Sequence, residues 1–354
     1  MNFGIALMFR NPLPQRVRFT EIYAKHLDLA AEAEDLGYDE IWLTEHHFVD
    51  DGYSPSLLPI AAAVAARTRS IRIGTFVILL PLHNPLRIAE DAATVDIISK
   101  GRFDAGFGQG YRVPEFTGFN VSRNERGARL EEGVEIVRRA WTEPNLTFDG
   151  RFNRITNITL TPGVVQKPHP PIWLAARGPK SIRRAARHGY HFMGTGAAGQ
   201  QETYDAALKE LGREPHEYNI AQLRTVFVAS RRESAWDAAE AGAHYMMGCY
   251  GKWFAEANDL PGDSGGAAIP PVGQFRRSDT SALFGEPLAI GTPGEVITML
   301  EDYFARTRVT HLVMAMALPG LDPRKVSASM RLFAREVMPH FRRKTRARSS
   351  KARA

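Results

Sequence analysis

The sequence predicts an α/β protein built as a single (β/α)8 barrel, the TIM-barrel architecture. Short runs rich in β-branched and aromatic residues alternate with longer segments of helical periodicity, which is typical of βα units around a parallel sheet. Eight such runs occur along the 354 residues, and eight strands close this barrel. Apolar residues make up 44% and charged residues 24% of the chain, so one large core can be buried.

The predicted strands are short and evenly distributed. They lie near Phe3–Phe9, Glu40–Thr44, Ile71–Leu79, Phe103–Phe107, Ile172–Ala176, His191–Thr195, Leu223–Ala229 and His311–Met316. Helical periodicity fills most of the intervals, at Phe19–Leu36, Pro59–Thr68, Pro85–Ser99, Arg126–Trp141, Pro179–His188 and Pro293–Thr307. Several of these helices begin with proline at or near the first helical position, which proline favours.

Two segments interrupt the alternation. Glu143–Pro171 carries polar and turn residues around short strand-like runs, and is predicted to be an insertion after strand four. Leu260–Pro287 is rich in glycine and proline, and a loop of this length in a compact domain is usually functional or disordered. We therefore expect a long lid-like loop between strands seven and eight.

The net charge of +6 is concentrated at the C-terminus. Arg342–Ala354 contains seven basic and no acidic residues, so the rest carries 45 − 7 = 38 basic against 39 acidic residues. The predicted organisation is a barrel domain over residues 1–341 and a basic, disordered tail over residues 342–354. Because the barrel itself is nearly neutral, no nucleic-acid partner is predicted.

The remaining composition points to the cytoplasm. The single cysteine, Cys249, excludes an internal disulfide and suits a reducing compartment. Residues 1–9 are more typical of a strand than of a signal peptide, and no apolar run has the length of a membrane span. No membrane partner is therefore predicted.

The run Glu45-His46-His47-Phe48 follows the second strand, where barrels of this class carry reactive residues. A histidine titrates near neutral pH and can donate or accept a proton, and the adjacent Glu45 carboxylate could tune it. Packing of the barrel mouth explains the run equally well from position alone. A zinc site is disfavoured, because adjacent residues leaving a strand point to opposite faces, and no metal site is predicted.

Two further segments suit a ligand. Gly106-Phe107-Gly108-Gln109-Gly110 follows the fourth strand, and its alternate glycines would let a planar ligand approach the backbone, although a tight barrel bend would need them too. Arg177-Gly178-Pro179-Lys180-Ser181 leads directly into a helix. A helix N-terminus, a hydroxyl and a guanidinium suit a phosphate, with ordinary capping by Ser181 as the equal alternative.

Several stretches together resemble the luciferase-like flavin monooxygenases. They are Trp42–Phe48, Ala89–Asp91 continuing through Ser99–Phe103, Ala185-Ala186 with Gly189, Ile290–Glu295, and Val337–Pro339, and they cover the chain to about Arg342. The resemblance implies a barrel that binds reduced FMN delivered by a separate flavin reductase. The flavin would react with O2 to give a C4a-hydroperoxide that oxidises a small, apolar organic substrate. A homodimer is the expected assembly.

The resemblance also implies roles for particular residues. His46 matches the proton-handling histidine, and Glu45 and His47 become its supporting residues. Phe76-Val77 aligns with a non-proline cis peptide beneath the flavin ring, Gly108 takes a position near the flavin, and Gln109 takes one beside the phosphate, opposite Arg177. Arg177, Gly178 and Ser181 match the FMN phosphate contacts. Gly108 replaces a reactive cysteine of luciferase, which argues against light emission, and the luciferase residues at positions 109 and 177 are arginine and glutamate.

Two other functions fit the same barrel. One is an F420-dependent dehydrogenase or reductase, and the Glu45–Phe48 run favours the monooxygenase over it. The other is a non-catalytic luciferase-like subunit, against which the presence of His46 argues.

Overall fold

Eight parallel strand positions close into a barrel in the computed structural model, which describes residues 1–14, 16–194, 199–259, 269–278, 280–282 and 285–343. The strands are β1 (Asn2–Leu7), β2 (Glu40–Leu43), β3 (Arg72–Thr75), β4 (Ile78–Leu79), β5 (Phe103–Gly108), β6 (Leu146–Asp149), β7 (Arg154–Ile158), β8 (Ile172–Ala175), β9 (His191–Gly194), β10 (Ile220–Val228), β11 (Ala289–Gly291) and β12 (His311–Ala315). Around the barrel the order is β1, β2, β3 with β4, β5, β8, β9, β10 and β12, which pairs again with β1.

The helices surround this sheet. They are α1 (Phe19–Asp35), α2 (Leu57–Arg67), α3 (Pro85–Ile98), α4 (Val113–Gly118), α5 (Arg126–Thr142), α6 (Pro179–His188), α7 (Gln200–Glu210), α8 (Arg232–Ala257), α9 (Pro293–Arg306) and α10 (Pro323–Leu332). Local sequence sets several of their ends: the Asn84 side chain caps α3, Thr292 and Glu295 form a capping box at α9, and α6 ends at Gly189 with φ +68°. None of the described helices is both long and apolar enough to cross a membrane.

The predicted fold class is confirmed, and all eight predicted strands are present. The insertion after the fourth barrel strand forms the antiparallel hairpin β6–β7. The segment between the last two barrel strands contains α8, β11 and α9, with β11 pairing to β10. Much of the predicted lid-like loop, residues 260–268, 279 and 283–284, lies outside the described residues.

The predicted start of the C-terminal tail at residue 342 is wrong. Arg342 and Arg343 end a helical stretch that continues from α10 to residue 343. The Arg342 guanidinium donates to the Gly37 carbonyl at 2.8 Å and to the Asp39 carboxylate at 3.1 Å. The Arg342 side chain is held in place because two acceptors on the barrel bind it. A run of basic residues in the sequence does not show that such acceptors exist. Residues 344–354 lie outside the described residues.

The core is divided by strand alternation. In β1, Phe3, Ile5 and Leu7 pack outward against the helices, whereas Ala6 points into the barrel. The barrel interior contains the indole of Trp42, which meets Trp173 edge to face with ring centroids 5.5 Å apart. These large rings fill the barrel below the strand ends, and the C-terminal mouth beyond them is where barrels of this class bind their ligands.

The third barrel strand is interrupted where it faces β5. β3 pairs with β5 only as far as Gly74, and β4 resumes the pairing at Ile78. Between them, Thr75 Oγ1 accepts from the Gly106 N–H at 2.8 Å and donates to the Gly106 carbonyl at 2.9 Å. A side chain thus replaces the regular ladder and lets residues 76 and 77 depart from the strand.

Gly106 is required by this contact. A Cβ at residue 106 would lie 1.8 Å from the Thr75 carbonyl oxygen, so Gly106→Ala must displace backbone. We expect this substitution to lower the free energy of unfolding by roughly 3 kcal/mol, measured by urea denaturation. Gly163→Ala is the control, because nothing lies within 4 Å of its added methyl group, and a change below about 0.5 kcal/mol is expected. Equal midpoints for wild type and Gly106→Ala would contradict the packing.

Candidate active site

The segment after β2 forms one wall of the barrel mouth. The Ser54 hydroxyl donates to the Thr44 carbonyl at 2.6 Å, and the His46 N–H donates to the Ser54 carbonyl at 3.3 Å. Ser54 N–H in turn donates to the carbonyl of Met8, just beyond β1. His46 lies beyond the end of β2, and these bonds hold its backbone in place of the pairing between strands.

His46 is paired with a carboxylate that sequence reasoning missed. Its Nδ1 lies 2.8 Å from Oε1 of Glu115, which is on α4, after β5. The same oxygen accepts from the His47 N–H at 3.0 Å and from the Arg112 guanidinium at 3.1 Å. Glu115 is fully buried, and its Oε2 has no hydrogen-bond partner among the described residues. The result is a His–Glu dyad held from three sides.

Electrostatics fix the protonation of this dyad. Burial alone would raise the pKa of Glu115, but the His46 imidazole, the His47 N–H and Arg112 lower it further than burial raises it. Burial lowers the pKa of His46, with smaller contributions from Arg112 and Arg10, and this exceeds the raising effect of Glu115. Near neutral pH we therefore expect an ionised Glu115 and a neutral His46. Because a carboxylate can only accept, Nδ1 carries the proton and Nε2 is the free base.

Aromatic rings enclose His46. The ring centroids of Tyr53 and Trp253 lie 4.8 Å from the imidazole, and those of Tyr111 and Tyr250 lie at 5.7 and 5.9 Å. The Tyr111 hydroxyl is 3.5 Å from His46 Nε2, the nitrogen that Glu115 leaves free. Burial raises the pKa of Tyr111 well above its ordinary value, so it is a neutral phenol that can share a proton with that nitrogen.

Helix α8 supplies part of this enclosure. Tyr250, Trp253 and Phe254 recur at helical spacing on its buried face. Sequence reasoning did not place them at the site, because an aromatic stripe on a helix is as typical of core as of a binding site. Arg10 and Arg112 both lie over the Trp253 ring, with guanidinium carbons 5.5 and 4.4 Å from its centroid. These contacts hold the indole against His46.

Glu45 and His47 do not join His46. Glu45 Oε1 lies 2.9 Å from Nε2 of His47 and 2.9 Å from Nε2 of His83, which follows β4. The expectation that Glu45 tunes His46 is therefore wrong: strand alternation turns the Glu45 and His47 side chains to the other side, and Glu115 is the carboxylate beside His46. Glu45, His47 and His83 offer ligand atoms within 4.8 Å of one another. The spacing of neighbouring residues could not predict this group, since His83 lies 38 residues from Glu45, in the segment after β4.

The segment predicted to support the flavin ring, Phe76-Val77, lies at the interruption between β3 and β4. The peptide bond Phe76–Val77 is cis, as the resemblance implies. Phe76 meets the Trp42 ring at 6.1 Å, and a Cβ on Gly108 would lie 2.4 Å from Val77 Cγ2. Glycine at 108 thus allows β5 to approach this segment directly, and half-buried Gln109 follows at the strand's end.

The predicted phosphate segment lies after β8. Gly178 is the N-cap of α6 and Pro179 its first residue, and no side chain caps this helix N-terminus. Ser181 Oγ donates to the Gly178 carbonyl at 2.8 Å, so Ser181 is not the cap that the alternative interpretation requires. The Arg177 guanidinium carbon lies 3.8 Å from the centroid of the Phe254 ring. An uncapped helix N-terminus beside an arginine fits a phosphate group.

The two parts of the site belong to one mouth. The Tyr111 ring meets the His46 ring on one side and the Phe254 ring, at 5.0 Å, on the other, and Phe254 in turn contacts Arg177. A chain of contacts thus runs from the His–Glu dyad to the phosphate segment. Residues 195–198, which follow β9 in the chain, lie outside the described residues.

Comparison with known proteins identifies the family. The profile described as luciferase-like monooxygenase matches residues 1–311. The chain belongs to this family. The oxygenase component of the flavin-dependent trigonelline monooxygenase of Acinetobacter baylyi is 27% identical over 335 residues, covering 91% of this chain and 90% of that protein.

Two further relatives show which enzymes the chain is similar to. The crystal structure of the monooxygenase RslO1 from Streptomyces bottropensis superimposes with a TM-score of 0.82 at 31% identity, covering 96% of this chain and 100% of the other. An F420-dependent glucose-6-phosphate dehydrogenase of Kineococcus radiotolerans is 34% identical over 200 residues, which is 52% of this chain and 57% of the relative. The family therefore includes flavin-dependent and F420-dependent oxidoreductases.

Proposed function

We propose that this protein is the oxygenase of a two-component monooxygenase, which uses reduced FMN and O2 to oxidise a small, apolar organic substrate through the flavin C4a-hydroperoxide. The observation that carries the proposal is the buried His46–Glu115 dyad at the mouth of a luciferase-like barrel. Bound reduced flavin supplies the electrons for oxygen activation. The protein supplies a base, an aromatic enclosure that excludes water, and the contacts that orient the cofactor.

His46 is the catalytic residue in this proposal. With Nδ1 donating to Glu115, its Nε2 can take a proton from a reacting group and return it later. Tyr111, 3.5 Å from that nitrogen, is placed to share the proton. His47 positions the dyad through its backbone N–H to Glu115, and Glu45 holds the His47 ring.

The proposed cofactor residues come from the family resemblance, and their surroundings in the mouth suit that role. Phe76 and Val77 would support the flavin ring, with Gly108 and Gln109 beside them. Arg177 and the N-terminus of α6 at Gly178 and Ser181 would hold the phosphate.

A flavin reductase is the proposed partner, since the A. baylyi relative is named an oxygenase component. The homodimer rests on the family resemblance, and the cytoplasmic location rests on the single cysteine.

An F420-dependent dehydrogenase is the second candidate, because the K. radiotolerans relative is 34% identical over its matched part. Anaerobic titration of the protein with reduced FMN and with reduced F420 separates the two. Tight F420 binding without measurable FMN binding would overturn the monooxygenase proposal. If reduced FMN binds, a screen of aldehydes, ketones, terpenes and sulfur compounds with reduced FMN and O2 would identify the class of substrate that the enzyme oxidises.

The phosphate assignment has its own test. We expect Arg177→Ala to weaken reduced FMN binding by roughly 10- to 100-fold, the effect of losing a charge-assisted hydrogen bond. Reduced riboflavin, which lacks the phosphate, should bind wild type and variant almost equally. Arg187→Ala removes an arginine from the other end of α6 and should leave both affinities unchanged. An equal loss for FMN and riboflavin would show that Arg177 acts through packing instead.

A further inference from the structure

We propose that Glu45, His47 and His83 form a binding site for one divalent transition-metal ion of the zinc class. The proposal is independent of the monooxygenase function, since it concerns side chains that face away from the His46 dyad. It starts from the three ligand atoms that lie within 4.8 Å of one another at the rim of the barrel mouth.

The three proposed ligands come together because they lie in the segments that follow neighbouring barrel strands. Glu45 and His47 are two residues apart on the extended segment after β2, so their side chains share one side. His83 follows one turn of 3-10 helix, Leu80–Leu82, after β4, and β4 resumes the barrel strand that β3 begins next to β2. Glu45 Oε1 is 2.9 Å from each imidazole Nε2. Ligands bonded to zinc at about 2.1 Å are separated by roughly 3.0 to 3.4 Å, so small movements of the rings would admit an ion.

The charge balance favours a cation. The Glu45 side chain is 2% exposed, and its ion-pair partners among the described residues are the two histidines, without a lysine or arginine. The other group that contacts the carboxylate is the Leu79 N–H at 3.3 Å. A divalent ion bound between the Glu45 carboxylate and the two imidazoles would place a positive charge directly against this buried carboxylate.

The ligand types select the metal. One carboxylate and two imidazoles form a donor set that zinc uses in sites with an open fourth position. Calcium and magnesium require more oxygen ligands than this group offers. His83 is 25% exposed, so an ion can enter from solvent and keep a water molecule on that side.

The surroundings support a held geometry. The Phe119 ring packs against both imidazoles, with centroids 4.7 Å from His47 and 6.2 Å from His83. The Arg112 guanidinium donates to the His47 carbonyl at 2.7 Å. An apolar cover and a fixed backbone are the outer-shell features that keep metal ligands oriented. The ion would link the segment after β2 to the segment after β4, and so act as a structural tie beside the catalytic histidine.

The test is direct metal binding by the untagged full chain after treatment with a chelator. We expect titration with Co2+ to give one tightly bound ion per chain with visible ligand-field absorption, and Zn2+ to displace that Co2+ with loss of the absorption. His83→Ala should weaken Co2+ binding by more than roughly 100-fold, since loss of an outer-shell contact alone costs 10- to 100-fold. His216→Ala, which removes a histidine with 77% of its side chain exposed, should bind as wild type does.

Two further measurements keep the result decisive. Circular dichroism of His83→Ala establishes that the variant is folded, and Glu45→Gln, which keeps the shape but removes the charge, should also lose tight binding. Absence of stoichiometric Co2+ binding by wild type would overturn the proposal. So would binding that is the same in wild type, His83→Ala and Glu45→Gln, because the ion would then occupy another place.

Discussion

Replacing His46 by alanine is expected to lower turnover by roughly 10³-fold while leaving the affinity for reduced FMN nearly unchanged. The imidazole Nε2 is the free base of the dyad, and Tyr111, the nearest hydroxyl to it, has a raised pKa that makes it a poor base at neutral pH. Glu115 contacts the imidazole at Nδ1 and not at Nε2, so neither group is placed to replace the lost proton transfer. The proposed flavin phosphate contacts are on α6 and do not involve His46.

The measurement is product formed per folded enzyme with reduced FMN, O2 and a substrate found by screening. His26→Ala is the matched control, because it removes another buried imidazole, from α1, where it packs against Phe9. That variant should lose stability but keep its turnover. If His46→Ala retained wild-type turnover, or lost it only in proportion to weaker FMN binding, His46 would not be the proton-transferring residue.

The fold could be predicted from the sequence because each barrel strand is a local signal. β-branched and aromatic residues in short runs mark β1 and β12 as clearly as the intervening helical periodicity marks α1 or α9. His46 could be found for the same reason, since residues at the end of a barrel strand are read directly from the strand assignment. The resemblance then supplied the cis peptide at Phe76–Val77, which is present.

The partner of His46 could not be predicted in this way. Glu115 is 69 residues away, on a short helix after β5, and the pairing exists only because the segments after β2 and β5 fold over the same barrel mouth. Glu45, adjacent in sequence, was the natural choice and is wrong, because the extended backbone turns it away. Pro114 at the start of α4 was the available signal for a helix there. Nothing local to Glu115 indicates that its carboxylate is buried.

Other contacts of the site between residues far apart in the sequence could not be predicted either. His83 reaches Glu45 across 38 residues, and Trp253 reaches His46 from a helix near the end of the barrel sequence. The pattern of Tyr250, Trp253 and Phe254 predicts a buried helix face but not which surface it covers. Sequence periodicity predicts that a side chain is buried. Which side chains it contacts depends on the tertiary fold.

Glu115→Gln is expected to reduce turnover by roughly 100-fold and to shift the acid limb of its pH profile to lower pH. Glu115 raises the pKa of His46 against the larger lowering by burial, so removing the carboxylate charge lowers that pKa further. The acid limb reports protonation of His46, the form that cannot act as a base, and this limb therefore moves downward. The rate falls because a less basic Nε2 drives proton transfer less strongly.

A purely structural role for Glu115 would not shift the pH profile. The profile therefore distinguishes a structural role from an electrostatic effect on His46. The amide oxygen of the Glu115→Gln variant can still accept from Arg112 and the His47 N–H, so much of the geometry is retained while the charge is lost. Glu40→Gln is the matched control: Glu40 is also a buried carboxylate beside a histidine, 3.2 Å from His311, but lies at the N-terminal ends of the strands. It should reduce stability and leave the acid limb in place. An unchanged or upward-shifted limb in Glu115→Gln would mean that Glu115 does not set the basicity of His46, and the dyad would then be a packing contact.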